Sequence, residues 1–481
     1  MIKRTLYFIY ITIFILTLFG PSIVISSDSV SGVGPLSTKK SDWISGWKKT
    51  SSMIAARTGA AIYHSDKYIY MFGGLGFRDE GQQGATDERR PGYLRTSEYA
   101  RINSDGSLSS WQSGPNLNVE RGYFAVIQHK NYLYAVGGGR GMNGKELLSS
   151  IERAEIKEDG TLSEWTMEKS VLNIPRRCVK LAVIGNTIYA FGGYGGILLD
   201  TVEQADINPD GTLDEWLVAT DPMIVARYVH GKVTVGDGVY NIGGHSKAGG
   251  EGITDVGWSK VDEDGFFLPW EKKSSLQTGR YALATVVYNG SIYAIGGLTG
   301  PASLNSVERS KILGEGELSD WTYTTPTPFG IGGANAIVIK DKVYLLGGSD
   351  GLTYLDNVFY AGFNGKGDIG YMGGAADLAQ HKADIASREK NKAPLPHEGV
   401  VLQHFKQKLY SYLQVREDNN SVLWLAAPAK DIKVGDRIGY PNGTLMKNFY
   451  SKGLEKRFPF ILFISQTRIL NKDAKQKMPL Q

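Results

Sequence analysis

Five arginines stand at one register of this 481-residue chain: Arg57, Arg121, Arg176, Arg227 and Arg280, each opening a small or β-branched run. A guanidinium is a planar fork of donors that bonds a carboxylate or phosphate bidentately. Five of them brought together would make a receptor for an anionic ligand. The plainer alternative is a building role, in which each arginine pairs with carbonyls or with the equally recurrent Glu98, Glu152, Glu203 and Glu308.

Acids and bases also stand in two loops. The segment 75–96 holds Arg78-Asp79-Glu80 and Asp87-Glu-Arg-Arg90, and the Gly-rich segment 245–255 opens with His245. Long loops on a rigid scaffold carry function, or are plain insertions. Arg78, Asp79, Glu80 and His245 are the loop candidates for ligand contact. His64, His129, His381, His397 and His404 show no ligand spacing, and the single cysteine, Cys178, excludes a disulfide framework and Cys-based zinc clusters. No nucleophile elbow, phosphate loop or dinucleotide fingerprint occurs in a suitable context. No catalytic residue, metal or cofactor is therefore assigned.

Such residues act only if the fold gathers them, and the sequence repeats. Six phrases carry Tyr-x-x-Gly-Gly: Tyr70 to Gly74, Tyr134 to Gly138, Tyr189 to Gly193, Tyr240 to Gly244, Tyr293 to Gly297 and Tyr344 to Gly348. A period near fifty residues suits four-stranded propeller blades rather than helical solenoids. Each unit reads as an Arg-led strand, the Tyr-x-x-Gly-Gly strand, a third strand such as 202–207, and a fourth marked by Trp111, Trp165, Trp216, Trp270 or Trp321. Ile331 replaces the arginine in the sixth unit. Asp105-Gly106, Asp159-Gly160, Asp210-Gly211, Asp264-Gly265 and Glu315-Gly316 predict hairpins, with a type I′ turn that needs positive φ at both central residues.

The sixth unit lacks its Trp, whereas a spare copy, Asp42-Trp-Ile-Ser-Gly-Trp47, precedes the first. A ring leaves no open sheet edge only if the two chain ends share a blade. Residues 41–47 are expected to supply the outer strand of the blade begun near Ile331. The competing reading puts 368–371 there.

The double glycine, its preceding Tyr and the spaced Trp resemble the kelch family over residues from about Trp43 to Tyr371. The resemblance implies a six-bladed β-propeller with the five arginines around its channel mouth, where some relatives bind acidic peptides. It leaves function open, because kelch propellers include scaffolds, sugar oxidases and sugar isomerases. The oxidases need copper on two His and two Tyr, one Tyr cross-linked to Cys. Cys178 and His230 could be offered for that. However, Cys178 falls where other units have Gly59, Tyr123 or Ala282, a small buried core position, so no copper site is expected.

The outer segments complete the domain plan. Lys3 and Arg4 precede an apolar run from Leu6 to Phe19, and Gly20-Pro21 break it, so 1–27 reads as a cleaved signal peptide. An uncleaved anchor is the rival reading. Periplasmic or extracellular localisation is the consequence, with no stable membrane span after cleavage. The propeller is placed at 41–372, a helical linker at 373–397, a small β-barrel at 398–470 and a basic tail at 471–481. Strand-like runs at 409–415, 422–426 and 460–464 suggest about five strands of OB type. Trp424-Leu-Ala-Ala-Pro428, Val434-Gly-Asp436 and Met446 to Lys452 are similar to a small bacterial exported OB-like module. The fold class is thus all-β, a kelch-type propeller followed by an OB-like barrel.

The formal charge of +4 makes no case for nucleic acid. Residues 396–481, however, hold 14 Lys/Arg against 7 Asp/Glu. That excess suits an anionic partner for the C-terminal module, or a solvated basic face. Two functions compete. One is a secreted or periplasmic scaffold that binds a protein or glycan partner in the cell envelope. The other is a carbohydrate-active enzyme of mutarotase type, with its site at the propeller mouth and an acidic sugar as substrate. An enzyme requires a concave pocket holding an acid of shifted pKa beside an Arg.

Overall fold

A computed structural model describes residues 46–76, 92–247, 250–300, 302–351, 353–370, 395–407, 410–428, 432–441, 443–451, 454–464 and 467–470. The expected signal peptide and basic tail, residues 373–394 of the helical linker, and Arg78, Asp79 and Glu80 lie outside these residues, and His397, the last residue of the expected linker, instead opens a strand.

Residues 48–370 form six antiparallel sheets of one design. In the second, Ala125–His129, Tyr132–Val136, Ile151–Glu155 and Thr166–Met167 run from the inner to the outer strand. The second strand is buried almost throughout, because both faces of a blade pack against neighbours. After the equivalent strand of the first blade, Tyr68–Phe72, Gly73 and Gly74 turn the chain with φ of +55° and +99°, and a Cβ on Gly73 would stand 2.5 Å from the Arg121 carbonyl oxygen. That close approach explains the recurring glycine pair.

In five of the six blades the recurring Tyr fastens the blade to the next. Tyr134 Oη donates to the Gly211 carbonyl at 2.7 Å, Tyr189 to Gly265 at 2.7 Å and Tyr293 to Gly367 at 2.7 Å. Tyr344 reaches Gly106 of the first blade at 2.7 Å, so the pattern runs round the ring. Of the accepting glycines, Gly367 belongs to the Lys366-Gly367 turn of the sixth blade, and Gly106, Gly211 and Gly265 to the Asp-Gly hairpins. Their expected type I′ geometry holds only at Glu315-Gly316, with φ of +46° and +78°. Elsewhere the glycine alone has positive φ, and Gly106 N–H donates to the Asn103 carbonyl at 3.0 Å. In three of these turns the Asp carboxylate instead caps the turn, as Asp105 does on the Ser107 N–H at 2.9 Å, and in the fourth Asp262 takes that role on the Phe266 N–H at 2.9 Å.

The ring closes through the N-terminus, one step later in sequence than expected. Lys48–Lys49 pairs with Val358–Phe363, with Lys49 opposite Phe359. Trp47, 1% exposed, occupies the place that Trp165 holds in the second blade. Ile369–Gly370 also pairs with Val358–Phe363, beside its far end, so both ends of the propeller segment finish the sixth blade.

The C-terminal residues make a seven-stranded sheet rather than five strands. Its order is Thr444–Ser451, Lys456–Phe463, Val422–Pro428, Tyr410–Glu417, His397–Lys406, Arg437–Tyr440, Arg468–Ile469. Val422–Pro428 and Lys456–Phe463 are parallel, and the other pairings are antiparallel. No pairing joins the two ends of this path among the described residues. Val401, Leu413, Val415, Leu425 and Ile438 fill its core.

Candidate functional site

The five recurring arginines do not face a ligand. Each is at most 1% exposed and is ion-paired inside the propeller wall. Arg57 Nη2 lies 2.6 Å from Glu98 Oε1, Arg121 Nη2 2.7 Å from Glu152 and Arg280 Nη2 2.5 Å from Glu308. Arg176 pairs with Glu203 and Arg227 with Asp255 in the same way. The other guanidinium nitrogen of Arg121 donates to the Gly137 and Ser150 carbonyls, at 2.7 and 3.0 Å. Glu152 accepts the Asn118 and Val119 backbone N–H groups. The four Arg–Glu pairs therefore tie a blade's double glycine and third strand to the loop that enters it, whereas in the fourth blade the carboxylate comes from Asp255, just before the third strand. The sixth blade replaces both members together, with Ile331 and Phe359 buried in one apolar cluster. A pair of charges is kept or lost as a unit because one alone would be a buried, uncompensated ion.

The residue two places beyond each arginine builds the axis. Gly59, Tyr123, Cys178, Val229, Ala282 and Gly333 are equivalent and all have φ between +47° and +64°. Tyr123 N–H donates to the Gly59 carbonyl at 2.7 Å, Ala282 to Val229 at 2.7 Å and Gly333 to Ala282 at 2.8 Å. Cys178 N–H donates to Tyr123, and Gly59 to Gly333 at 3.5 Å. The bonds of this belt join neighbouring blades at five of the six steps around the axis, the step from Cys178 to Val229 being the exception, and they hold non-glycine residues in a conformation that costs about 1–2 kcal/mol each. Cys178 is buried, as expected, and burial pushes its thiol up, which makes it a poor nucleophile.

Above the belt lies an aromatic mouth. Leu75, Tyr93, Tyr123, Tyr228, Tyr281 and Tyr354 form one buried cluster with Cys178 and Val229. Burial pushes the Tyr93 and Tyr354 phenols up to about 12. Arg177 enters this cluster, its Nη1 3.3 Å from the Gly144 carbonyl and its Cζ 5.2 Å from the Tyr194 ring centre. His245 is placed here too, paired across the mouth strand with Tyr228. Its Nδ1 is 3.4 Å from Tyr228 Oη, its Nε2 3.2 Å from the Gly250 carbonyl, and its ring lies 3.7 Å from that of Tyr281. Burial lowers its pKa to about 4, so the imidazole is neutral at pH 7.

Of the residues expected at the site, the mouth therefore retains His245, and it replaces the arginine ring by Arg177 and tyrosines. The signal was present in the sequence. The residue after each recurring arginine varies from unit to unit, as Thr58, Gly122, Arg177, Tyr228 and Tyr281, whereas the arginine does not. Variation inside a fixed frame marks the position that is free of a building role. No group of three or more His, Cys, Asp or Glu able to hold a metal occurs among the described residues.

Comparison with known proteins agrees with this architecture. The Kelch motif matches residues 175–204 and 279–309, segments that begin beside Arg176 and Arg280 and contain their Glu partners. Kelch-like protein 23 of Mus musculus is 26% identical over 200 residues, 40% of this chain and 33% of that protein. Kelch-like protein 36 of Mus musculus is 25% identical over 309 residues, 63% of this chain and 45% of that protein. The chain thus spans a third to a half of the length of these relatives. The solved structure titled "Structure of YjhT" superposes with a TM-score of 0.51 at 13% identity, covering 66% of this chain and 98% of that one. The body of this protein is an all-β kelch-repeat propeller.

Proposed function

We propose that this is an exported scaffold whose loop face holds a protein partner and whose C-terminal sheet adds a second, cationic contact. One observation carries the reading. The loops that rim the aromatic mouth expose large apolar side chains: Met142 at 78%, Ile197 at 71%, Ile54 at 52% and Ile224 at 43%. Exposed apolar groups around buried Tyr and Arg anchors have the composition of a protein interface. The described mouth groups are phenols, a neutral imidazole and one guanidinium, which suit recognition. Kelch repeats generally mediate protein–protein interaction, which supports the same reading.

The apolar run after Lys3-Arg4 supports export to the periplasm or cell exterior. The OB-like reading of the C-terminal module is supported by its strand order and by one parallel pairing within an antiparallel sheet. There Lys456 Nζ stands 4.4 Å from the Trp424 ring centre and 5.1 Å from that of Phe405. A cation on aromatic rings, in a segment with 14 Lys/Arg against 7 Asp/Glu, suits an anionic partner.

The test is capture of partners from the native envelope fraction by residues 28–481, with the variant Met142→Asp/Ile197→Asp as control. A protein retained by the parent and lost from the variant supports the loop face. Equal retention by both overturns it. Capture by neither, with turnover of an acidic sugar, would favour the enzyme instead.

A further inference from the structure

The six seams between neighbouring blades share one plan next to the axis, and one seam departs from it. Three positions meet in each seam: the first residue of one blade's innermost strand, then the residue before that strand and its second residue in the following blade. Between the first and second blades these are Ala61, Phe124 and Val126, which pack in one cluster. Between the second and third they are Ala125, Val179 and Leu181. Between the fourth and fifth they are Gly231, Leu283 and Thr285, so close that a Cβ on Gly231 would stand 2.3 Å from the Thr285 methyl. The fifth and sixth bring together Ala284, Ala334 and Ala336. The last seam has Asn335, whose amide donates to the Ala60 carbonyl at 2.9 Å, beside Ile62.

The seam between the third and fourth blades holds Lys180, His230 and Lys232 instead. Three basic side chains thus converge where the other seams are small, apolar or neutral. Lys232 Nζ donates to Thr234 Oγ1 at 3.0 Å, and neither lysine forms an ion pair among the described residues. His230 is fully buried, and neither ring nitrogen meets a partner in hydrogen-bond geometry, although the Asn241 side chain lies beside it. Both lysines are half-buried. On an innermost strand, that partial exposure faces the axis.

Grouped cations without a counter-charge are costly to bury, and each unpaired polar atom adds to the cost. An oxyanion would satisfy all three groups at once, through charge-assisted hydrogen bonds. We propose that the seam between the third and fourth blades is a binding site for a small oxyanion, a phosphate or carboxylate group that enters along the propeller axis. Lys180 and Lys232 supply the charge, and His230 a directed N–H donor. Burial, aided by the Lys180 charge, lowers Lys232 to about 8, a repulsion that a bound anion relieves. The site stands independently of the loop-face reading, because none of its residues belongs to the rim.

The experiment is calorimetric titration of the protein with inorganic phosphate and, separately, with acetate at fixed ionic strength, alongside melting curves. At least one anion is expected to bind and to raise Tm beyond the chloride control, and the responding probe identifies the group. Lys180→Met and Lys232→Met should each weaken that binding at least tenfold, while melting no lower than the parent without anion. Lys180→Gln and Lys232→Gln give the same readout with polarity kept, should a Met variant fold poorly. Binding unchanged in the lysine variants would overturn the site. So would a parent that responds to neither anion more than to chloride.

Discussion

The indole Nε1 of Trp47 donates a 3.1 Å hydrogen bond to the Pro326 carbonyl, joining residues 279 positions apart. That bond, with the pairing of Lys49 and Phe359, closes the propeller at the junction of its chain ends. Trp47→Ala removes a fully buried indole from the cluster that holds Val343, Phe359 and Ile369. The expected cost is about 3–5 kcal/mol. Urea unfolding measures it, and early proteolysis of the sixth blade should accompany it. A midpoint within error of the parent would show that the ring does not depend on this strand.

Arg121 and Glu152 should behave as a unit. Arg121→Ile leaves the buried carboxylate with the Asn118 and Val119 backbone N–H groups and the Asn118 amide but no counter-charge, at an expected cost of about 3–5 kcal/mol. Adding Glu152→Phe copies the Ile331 and Phe359 arrangement of the sixth blade. A double-mutant cycle by chemical denaturation should return a coupling of about 2–3 kcal/mol. Strict additivity would mean that the two charges are independent.

His245 makes the mouth acid-sensitive. The folded imidazole takes a proton only near pH 4, whereas the unfolded one does so near 6.5. Between those values the unfolded chain binds the extra proton, so stability falls as pH drops from 6.5 to 4. The loss reaches about 3 kcal/mol. His230, which burial lowers in the same direction, adds to it. His245→Asn should flatten part of the slope between unfolding free energies at pH 7 and pH 5. An unchanged slope would exclude His245 as a source.

Lys456 is the fastening of the C-terminal aromatic cluster, within 5.3 Å of the centre of Phe458 as well as close to Phe405 and Trp424. Lys456→Ala should lower local stability by about 1 kcal/mol. Hydrogen exchange of the Val422–Pro428 amides should then quicken about fivefold, whereas Lys456→Arg should leave it near the parent rate. Equal protection in all three would assign the rings alone to the packing.

The sequence by itself determined the frame. Six Tyr-x-x-Gly-Gly phrases and the spaced Trp specify blades, since each glycine pair answers a steric need that recurs at every copy. The displaced Trp47 specified which end of the chain closes the ring. The recurring Glu98, Glu152, Glu203 and Glu308 already offered the partners that the arginines take. The tertiary structure alone decided between ligand and partner, because a guanidinium's role depends on which carboxylate lies within reach, and these stand 27–41 positions away in the chain. It also decided the two axial features. The belt through Tyr123, Cys178 and Val229 and the seam of Lys180, His230 and Lys232 each join residues of different blades. In sequence those residues are ordinary members of ordinary strands. Only the closing of the ring sets them side by side, where low exposure and shared charge give them their chemistry.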